Sequence, residues 1–370
     1  MNEDVRSDLK IDPQSTRNLL NAVNHASEAA LTGWLIYLGL AAYFIVALAG
    51  VTHKDLLLNS PISLPVLSIS ISLDRFFLFA PPLFIIIHLG MMMQYEVLTR
   101  KIYAFLHVIE REEREMADAG APAGQIHPLR YELSSNFFTQ FLAGPNQAGI
   151  LTFMQQMIVW ATLIMLAAIV LMMFQVTFLP YHDVTLTWAH RVYVLIDLVI
   201  VGIVGTFLPS PLHGFWASVW YSWRNYPTFM TITVGFFMAF FAFSFFLATV
   251  PGERLDRALA AIGPSVEVPA PSGRAADMRT VFLPIAYLFD GAVDPATGAS
   301  RSPFQRNLIV MDQDLVNDRD LSPDGRSISL RNRDLRYARL DRSDLKQADM
   351  TGADLTGASL DGTVLTGVRR

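Results

Sequence analysis

From residue 328 onward an apolar residue returns every five positions: Leu330, Leu335, Leu340, Leu345, Met350, Leu355, Leu360 and Leu365. Two residues before each stands a mostly small one (Ile328, Arg333, Ala338, Ser343, Ala348, Ala353, Ala358, Thr363). This period does not fit an α-helix. A five-residue step turns ~500°, which scatters the leucines over every face. Nor does it fit a strand that simply runs on with its two-residue alternation. A disordered tail lacks such regular apolar positions. What remains is a chain that turns a corner every five residues, with the large and the small residue pointing inward at each side. Four sides close a coil of ~20 residues, and coils stack at the ~4.8 Å inter-strand spacing. Gly352, Gly357, Gly362 and Gly367 each follow the large residue by two and ease the corners. The expected repeat core is therefore the eight large residues with Ala338, Ala348, Ala353 and Ala358.

The runs Asp334-Leu335-Arg336-Tyr337-Ala338-Arg339-Leu340 and Ala353-Asp354-Leu355-Thr356-Gly357-Ala358-Ser359-Leu360 resemble the pentapeptide-repeat family, whose consensus is A(D/N)LXX. The resemblance implies a right-handed quadrilateral β-helix of about two coils over residues 328–370. With an apolar leader, it points to the bacterial membrane-bound branch of that family. Two coils are few for a solenoid, whose ends need covering. On the amino side Asn307–Leu321 is the expected cap, because Val310 and Leu315 keep the register. On the carboxyl side a second copy is the expected cover, which makes a homodimer. Mimicry of a polyanion needs an acidic surface, yet residues 326–370 hold nine basic and six acidic side chains, so no nucleic-acid partner is expected.

Charge is spread unevenly. Residues 31–250 carry nine Lys/Arg and eleven Asp/Glu; residues 251–370, little more than half as long, carry sixteen and seventeen. A single water-soluble globule is excluded. Crossing the hydrocarbon core takes ~20 mostly apolar residues. Spans are expected near 31–52, 76–98, 150–179, 192–208 and 228–250. The fourth is short and flanked by His190-Arg191 and Pro209–Pro211, so four or five spans are expected. Residues 1–30 read as a retained tail whose part Asn18–Ala30 is a helix leading into the bilayer. The second span continues as a helix through the stripe Leu98, Ile102, Phe105, Leu106 and Ile109, ending by Ala119–Gly124. His213–Tyr226, with Trp216, Trp220 and Trp223, reads as a headgroup-level aromatic belt.

Arg6, Lys10 and Arg17 in the tail, and five Lys/Arg in 99–149, predict that both face the cytoplasm. Five spans then place the carboxyl region outside, four inside. Residues 251–327 read as a Pro/Gly/Ala-rich linker and repeat cap, with Val281–Phe289 a strand or docking segment.

With no cysteine, disulfides, thiolate zinc sites and iron–sulfur clusters are excluded. No Walker, GxGxxG, GxSxG or HExxH motif occurs, so no catalytic, cofactor or metal residue is assigned. His182-Asp183 and His190 read as interfacial polar groups. The candidate intramembrane polar residues are Asp197 and His88, with Gln155, Gln156 and Gln175. If it has no pathway role, Asp197 is expected either to lie near the end of a segment that does not span or to pair with Arg191 or Arg224. The expectation is a non-enzymatic integral membrane protein of a bacterial inner membrane. Its lipid-embedded bundle anchors a scaffold that docks a protein partner. The alternative is transport through the bundle by way of Asp197 and His88.

Overall fold

The computed structural model describes residues 13–64, 69–120, 122, 125–145, 149–208, 214–316 and 327–369. Arg6 and Lys10, Pro209–Pro211, His213 and the end of the expected cap, 317–321, lie outside them. In chain order the elements are α1 (Pro13–Ala49), α2 (His53–Leu58), β1 (Ile62–Leu64), β2 (Ile69–Ile71), α3 (Leu73–Asp118), α4 (Phe137–Ala143), α5 (Ile150–Tyr181), α6 (Val184–Phe207), α7 (Phe215–Asn225), α8 (Pro227–Leu247), α9 (Arg254–Ile262), β3 (Ser265–Val268), β4 (Arg279–Phe282) and α10 (Leu283–Phe289).

Five of these, α1, α3, α5, α6 and α8, are long and apolar enough to cross a membrane. Their outward residues are apolar as well: Ile36, Val46, Phe79, Ile86 and Met238 are all more than half exposed. Only 11% of the most apolar window of α8 is buried inside the protein. Water does not tolerate such a surface, whereas lipid covers it at no cost.

The chain divides into two compact units. The first holds residues 1–43, 84–168 and 197–234. Here the 46-residue α3 buries Leu98, Ile102, Phe105, Leu106 and Ile109 as one stripe, while Arg111–Glu115 and Arg114–Glu110 pair along its exposed face. α1 is continuous, so no break separates the lead-in helix from the first span. The short α7 turns Ser218 and Ser222 inward and leaves Trp216 and Trp220 exposed, as an interfacial aromatic helix should.

The second unit holds residues 44–83, 169–196 and 235–370. α2 is fixed by a capping box between Thr52 and Asp55 and stopped by Asn59 in the left-handed region. The span expected at 192–208 begins eight residues earlier, at Val184. The expectation fell short because His190 and Arg191 looked like flanking polar residues. Both are buried in the helix, His190 donating to the Phe77 carbonyl at 2.9 Å and Arg191 to Glu253 at 2.5 Å.

Residues 251–316 are folded, which corrects the reading of a linker. The hairpin β3–β4, α9 and α10 close a small apolar core of Val281, Ile285 and Phe289 against Leu179, Ala248 and Val250. The prolines and glycines that suggested a linker stand at the turns of this compact segment. Val281–Phe289 does dock, as the end of a strand followed by a helix.

Beyond residue 327 the backbone comes back beside itself every 20 residues. Parallel bridges join Ser329 to Asp349, Asp334 to Asp354, Arg339 to Ser359 and Asp344 to Val364. Ile309 and Asp314 form parallel bridges with Arg339 and Asp344, with a spacing of 30. Val310 and Leu315 are buried there, in the segment expected to cap the amino side.

Candidate functional site

The repeat segment shows how each five-residue unit is spent. Leu330, Leu335, Leu340, Leu345, Ala338 and Ala348 have no exposed surface, and Met350 almost none. Ala353, Leu355, Ala358, Leu360 and Leu365, in the upper turn, are half-buried. Two residues after each large position φ is positive: Asn332, Tyr337, Arg342 and Gln347 in the lower turn, Gly352, Gly357, Gly362 and Gly367 in the upper. The difference has a steric cause. A Cβ on Gly357 would stand 2.6 Å from the Tyr337 ring, and one on Gly352 would collide with the Asn332 amide. Side chains at the lower corners rise over the upper ones, so only glycine fits above them. Asp334, Asp344, Asp349 and Asp354 each accept the backbone N–H two residues on, which holds the corner.

The base of these turns is bonded to the rest of the second unit. The side with Asp334 has no bridge partner below it among the described residues; instead it meets α2 and the turn at 179–183. Arg333 occupies a small-residue position of the repeat, yet its Nη1 and Nη2 donate to the Leu57 and Leu56 carbonyls at 3.3 Å, at the end of α2. Its guanidinium also lies 3.8 Å from the centroid of the Tyr181 ring. The next residue, Asp334, is 3.5 Å from Nδ1 of His182 and is clasped by Arg336 at 2.5 Å. Burial alone would raise the Asp334 carboxyl, but His182 and Arg336 outweigh it and hold it well below the ordinary range. Beside them Ile309 N–H donates to His53 Nδ1 at 2.9 Å, and Lys54 donates to the Asp314 carbonyl at 3.0 Å. Burial lowers the His53 imidazole to about 4, consistent with a ring that must stay neutral to accept.

Behind this base lies a buried ion cluster. Arg306, with no exposed surface, donates to Asp290 at 2.5 Å and to Asp256 at 2.8 Å. Arg279 donates to the other Asp290 oxygen at 2.7 Å. Burial pushes the Asp290 carboxyl up, but Arg306 and Arg279 pull it below its usual value. His182 Nε2–H donates to the Arg306 carbonyl at 2.6 Å. Each of His182, Asp183 and His190 thus bonds a different backbone group, the Arg306 carbonyl, the Leu186 N–H and the Phe77 carbonyl. Asp183 accepts from the Leu186 N–H at the start of α6, and no group of three or more potential metal ligands occurs among the described residues.

In the first unit His88 and Asp197 meet. Nδ1 lies 2.6 Å from Asp197 Oδ1, both fully buried, and Nε2–H donates to the Leu163 carbonyl at 3.1 Å. Leu163 sits in a π-helical turn, Ala161–Met165, inside α5. Such a turn breaks the regular i→i−4 ladder. Because the carbonyl claims the Nε2 proton, a proton between Nδ1 and Oδ1 leaves the pair neutral wherever along the bond it rests. Neither expected partner, Arg191 or Arg224, bonds Asp197. Arg191 is engaged with Glu253 and the Ala248 carbonyl within the second unit, and a partner 109 residues from the aspartate cannot be read from local spacing. Gln175 bonds Ser244, and Gln155 and Gln156 are half-buried. The intramembrane polar groups with resolved partners are thus spent on separate ones. Two arginines of the repeat are likewise engaged, Arg336 on Asp334 and Arg342 on Asp312, and Arg331 lies near Asp349.

Residues 329–367 match the family model for pentapeptide repeats, in eight copies. Searches of curated proteins and of solved structures each found no significant match.

Proposed function

We propose that the chain is a membrane-anchored scaffold, non-enzymatic, in which a right-handed four-sided β-helix presents flat walls to a protein partner. The observation that carries this is the clamped base. Arg333, Asp334, Ile309 and Asp314 tie the repeats to α2 and to the turn at 179–183, while the outward residues Arg331, Thr356, Asp361 and Thr366 stay exposed. A module bonded at its base and along the side carrying Tyr337 and Gly357, with exposed residues on its other sides, is rigidly oriented, which lowers the entropic cost of recognition.

The same contacts support five spans. Residues 53–59 lie between the first and second apolar helices, and Tyr181 and His182 are the last residue of the third and the first after it, before the fourth. In a five-span protein both loops and everything after the fifth helix share one side. Four spans would put a bilayer between bonded partners. The Lys/Arg bias assigns the cytoplasm to the other side, so the repeats face away from it, as in the outer face of a bacterial inner membrane.

Because the chain has no cysteine, single substitutions report cleanly. D361C is expected to react with a membrane-impermeant maleimide added to intact cells, and R114C only after permeabilisation. The reverse pattern overturns the orientation. A photo-crosslinker at Arg331, Thr356, Asp361 and Thr366, one on each side of the coil, is expected to give a discrete cross-linked protein from at least one wall. Failure at all four overturns the scaffold.

A further inference from the structure

A cavity of about 220 Å³ lies in the second unit, between the β3–β4 hairpin, the segment 289–293 and the repeat side carrying Tyr337 and Arg339. It is smaller than the ~300–1,000 Å³ sites that hold drug-sized ligands. Two arginines line it, Arg279 and Arg339, against one carboxylate, Asp290.

That carboxylate is already saturated. Oδ1 accepts from Arg279 and Asn307, and Oδ2 twice from Arg306. Two oxygens offer about four acceptor positions, so none is left for a ligand. Arg279 is not saturated. Its Nη2 is used, and its plane is covered by the Tyr337 ring 4.2 Å away, but Nε and Nη1 are buried with no hydrogen-bond partner. Arg339 adds a second charge, held only loosely by Asp341 at 4.0 Å. Asn307 Oδ1 is also buried and unpartnered. Its amide cannot flip, because Nδ2 donates to a carboxylate that only accepts. Pro269, Phe289 and Ile309 supply apolar wall.

Unmet donors on a cation, a fixed unmet acceptor and an apolar wall together describe a complementary guest. We infer that this cavity binds a small organic carboxylate that also carries a hydroxyl or ammonium donor. The carboxylate meets Arg279 and Arg339, and the donor meets Asn307. Burial depresses the ionisation of Arg279 despite Asp290, so an anion there also relieves that cost. The inference does not depend on the scaffold reading.

The test uses the full-length protein in detergent and follows thermal unfolding by tryptophan fluorescence. Lactate is the probe, propionate its analogue without the hydroxyl, and inorganic phosphate the competitor of different shape. Lactate is expected to raise the midpoint saturably by about 2–4 °C, and propionate by less. R339Q, at the cavity rim, is expected to raise the lactate concentration for half effect at least about fivefold. A292W, at an exposed lining position, is expected to abolish the shift without touching the ion cluster. No saturable shift with lactate, an equal shift in A292W, or a shift with phosphate alone would each overturn the assignment.

Discussion

Arg333 stacks on Tyr181 with its guanidinium 3.8 Å from the ring centroid, and from there reaches the last carbonyls of α2. One side chain thus joins the repeat to two separate loops between apolar helices. R333A is expected to cost about 2–3 kcal/mol, the sum of a desolvated cation–π contact and charged hydrogen bonds. R333K should recover little, since a point charge cannot stack and fork at once. Hydrogen exchange checks this: faster exchange confined to 53–59 and 329–337 is expected, with the apolar helices unchanged.

The seam is also acid-sensitive. His53 accepts a backbone N–H and is held at about 4 by burial, against an ordinary value of 6.5. The folded pKa is the lower one, so the free state takes up the proton first as pH falls. Stability is complete above about pH 6.5 and is lost progressively down to about pH 4, by an amount on the order of 3 kcal/mol. Asp334, also depressed, adds a further loss only at lower pH. Unfolding midpoints measured across this range should slope for the wild type. For H53A they should be lower at neutral pH and slope less steeply between pH 6.5 and 4.

His88 and Asp197 stabilise each other at the cost of desolvation. D197L leaves Nδ1 of His88 buried without a hydrogen-bond partner, and H88L leaves a buried carboxylate. Each is expected to cost about 3–5 kcal/mol. The double variant H88L/D197L should regain most of the loss, because two apolar groups bury without penalty. Denaturation in detergent of all four forms gives the coupling energy. A double variant as unstable as the singles would show that the pair's polarity is itself required by the bundle.

The corner glycines rank by what lies beneath them. A methyl group on Gly357 meets the Tyr337 ring at 2.6 Å, and on Gly362 only the flexible Arg342 Cγ at 3.2 Å. Both have positive φ, near 69°, so both variants pay the left-handed cost of ~1–2 kcal/mol. G357A is expected to lose about 1 kcal/mol more than G362A through overpacking. Y337A in the G357A background should return that excess, read from thermal unfolding of the four combinations.

Local pattern determined much of this protein. Five-residue periodicity specifies corners, inward leucines and glycine positions, because each follows from what its own few neighbours exclude. Hydropathy marks the five long apolar helices for the same reason, since every backbone group in a span must be satisfied within it. Even the seam left a trace, in the large charged Arg333 at a position that otherwise takes small residues. Tertiary structure alone decided the pairings: Asp197 with His88 rather than Arg191, His190-Arg191 inside a helix rather than beside it, and the Pro-rich stretch after 250 as a folded wall of a cavity. These join residues about 60 to 113 positions apart, and such partners are chosen by which buried charges and unmet hydrogen-bonding groups come together when the helices pack. No local window contains that information.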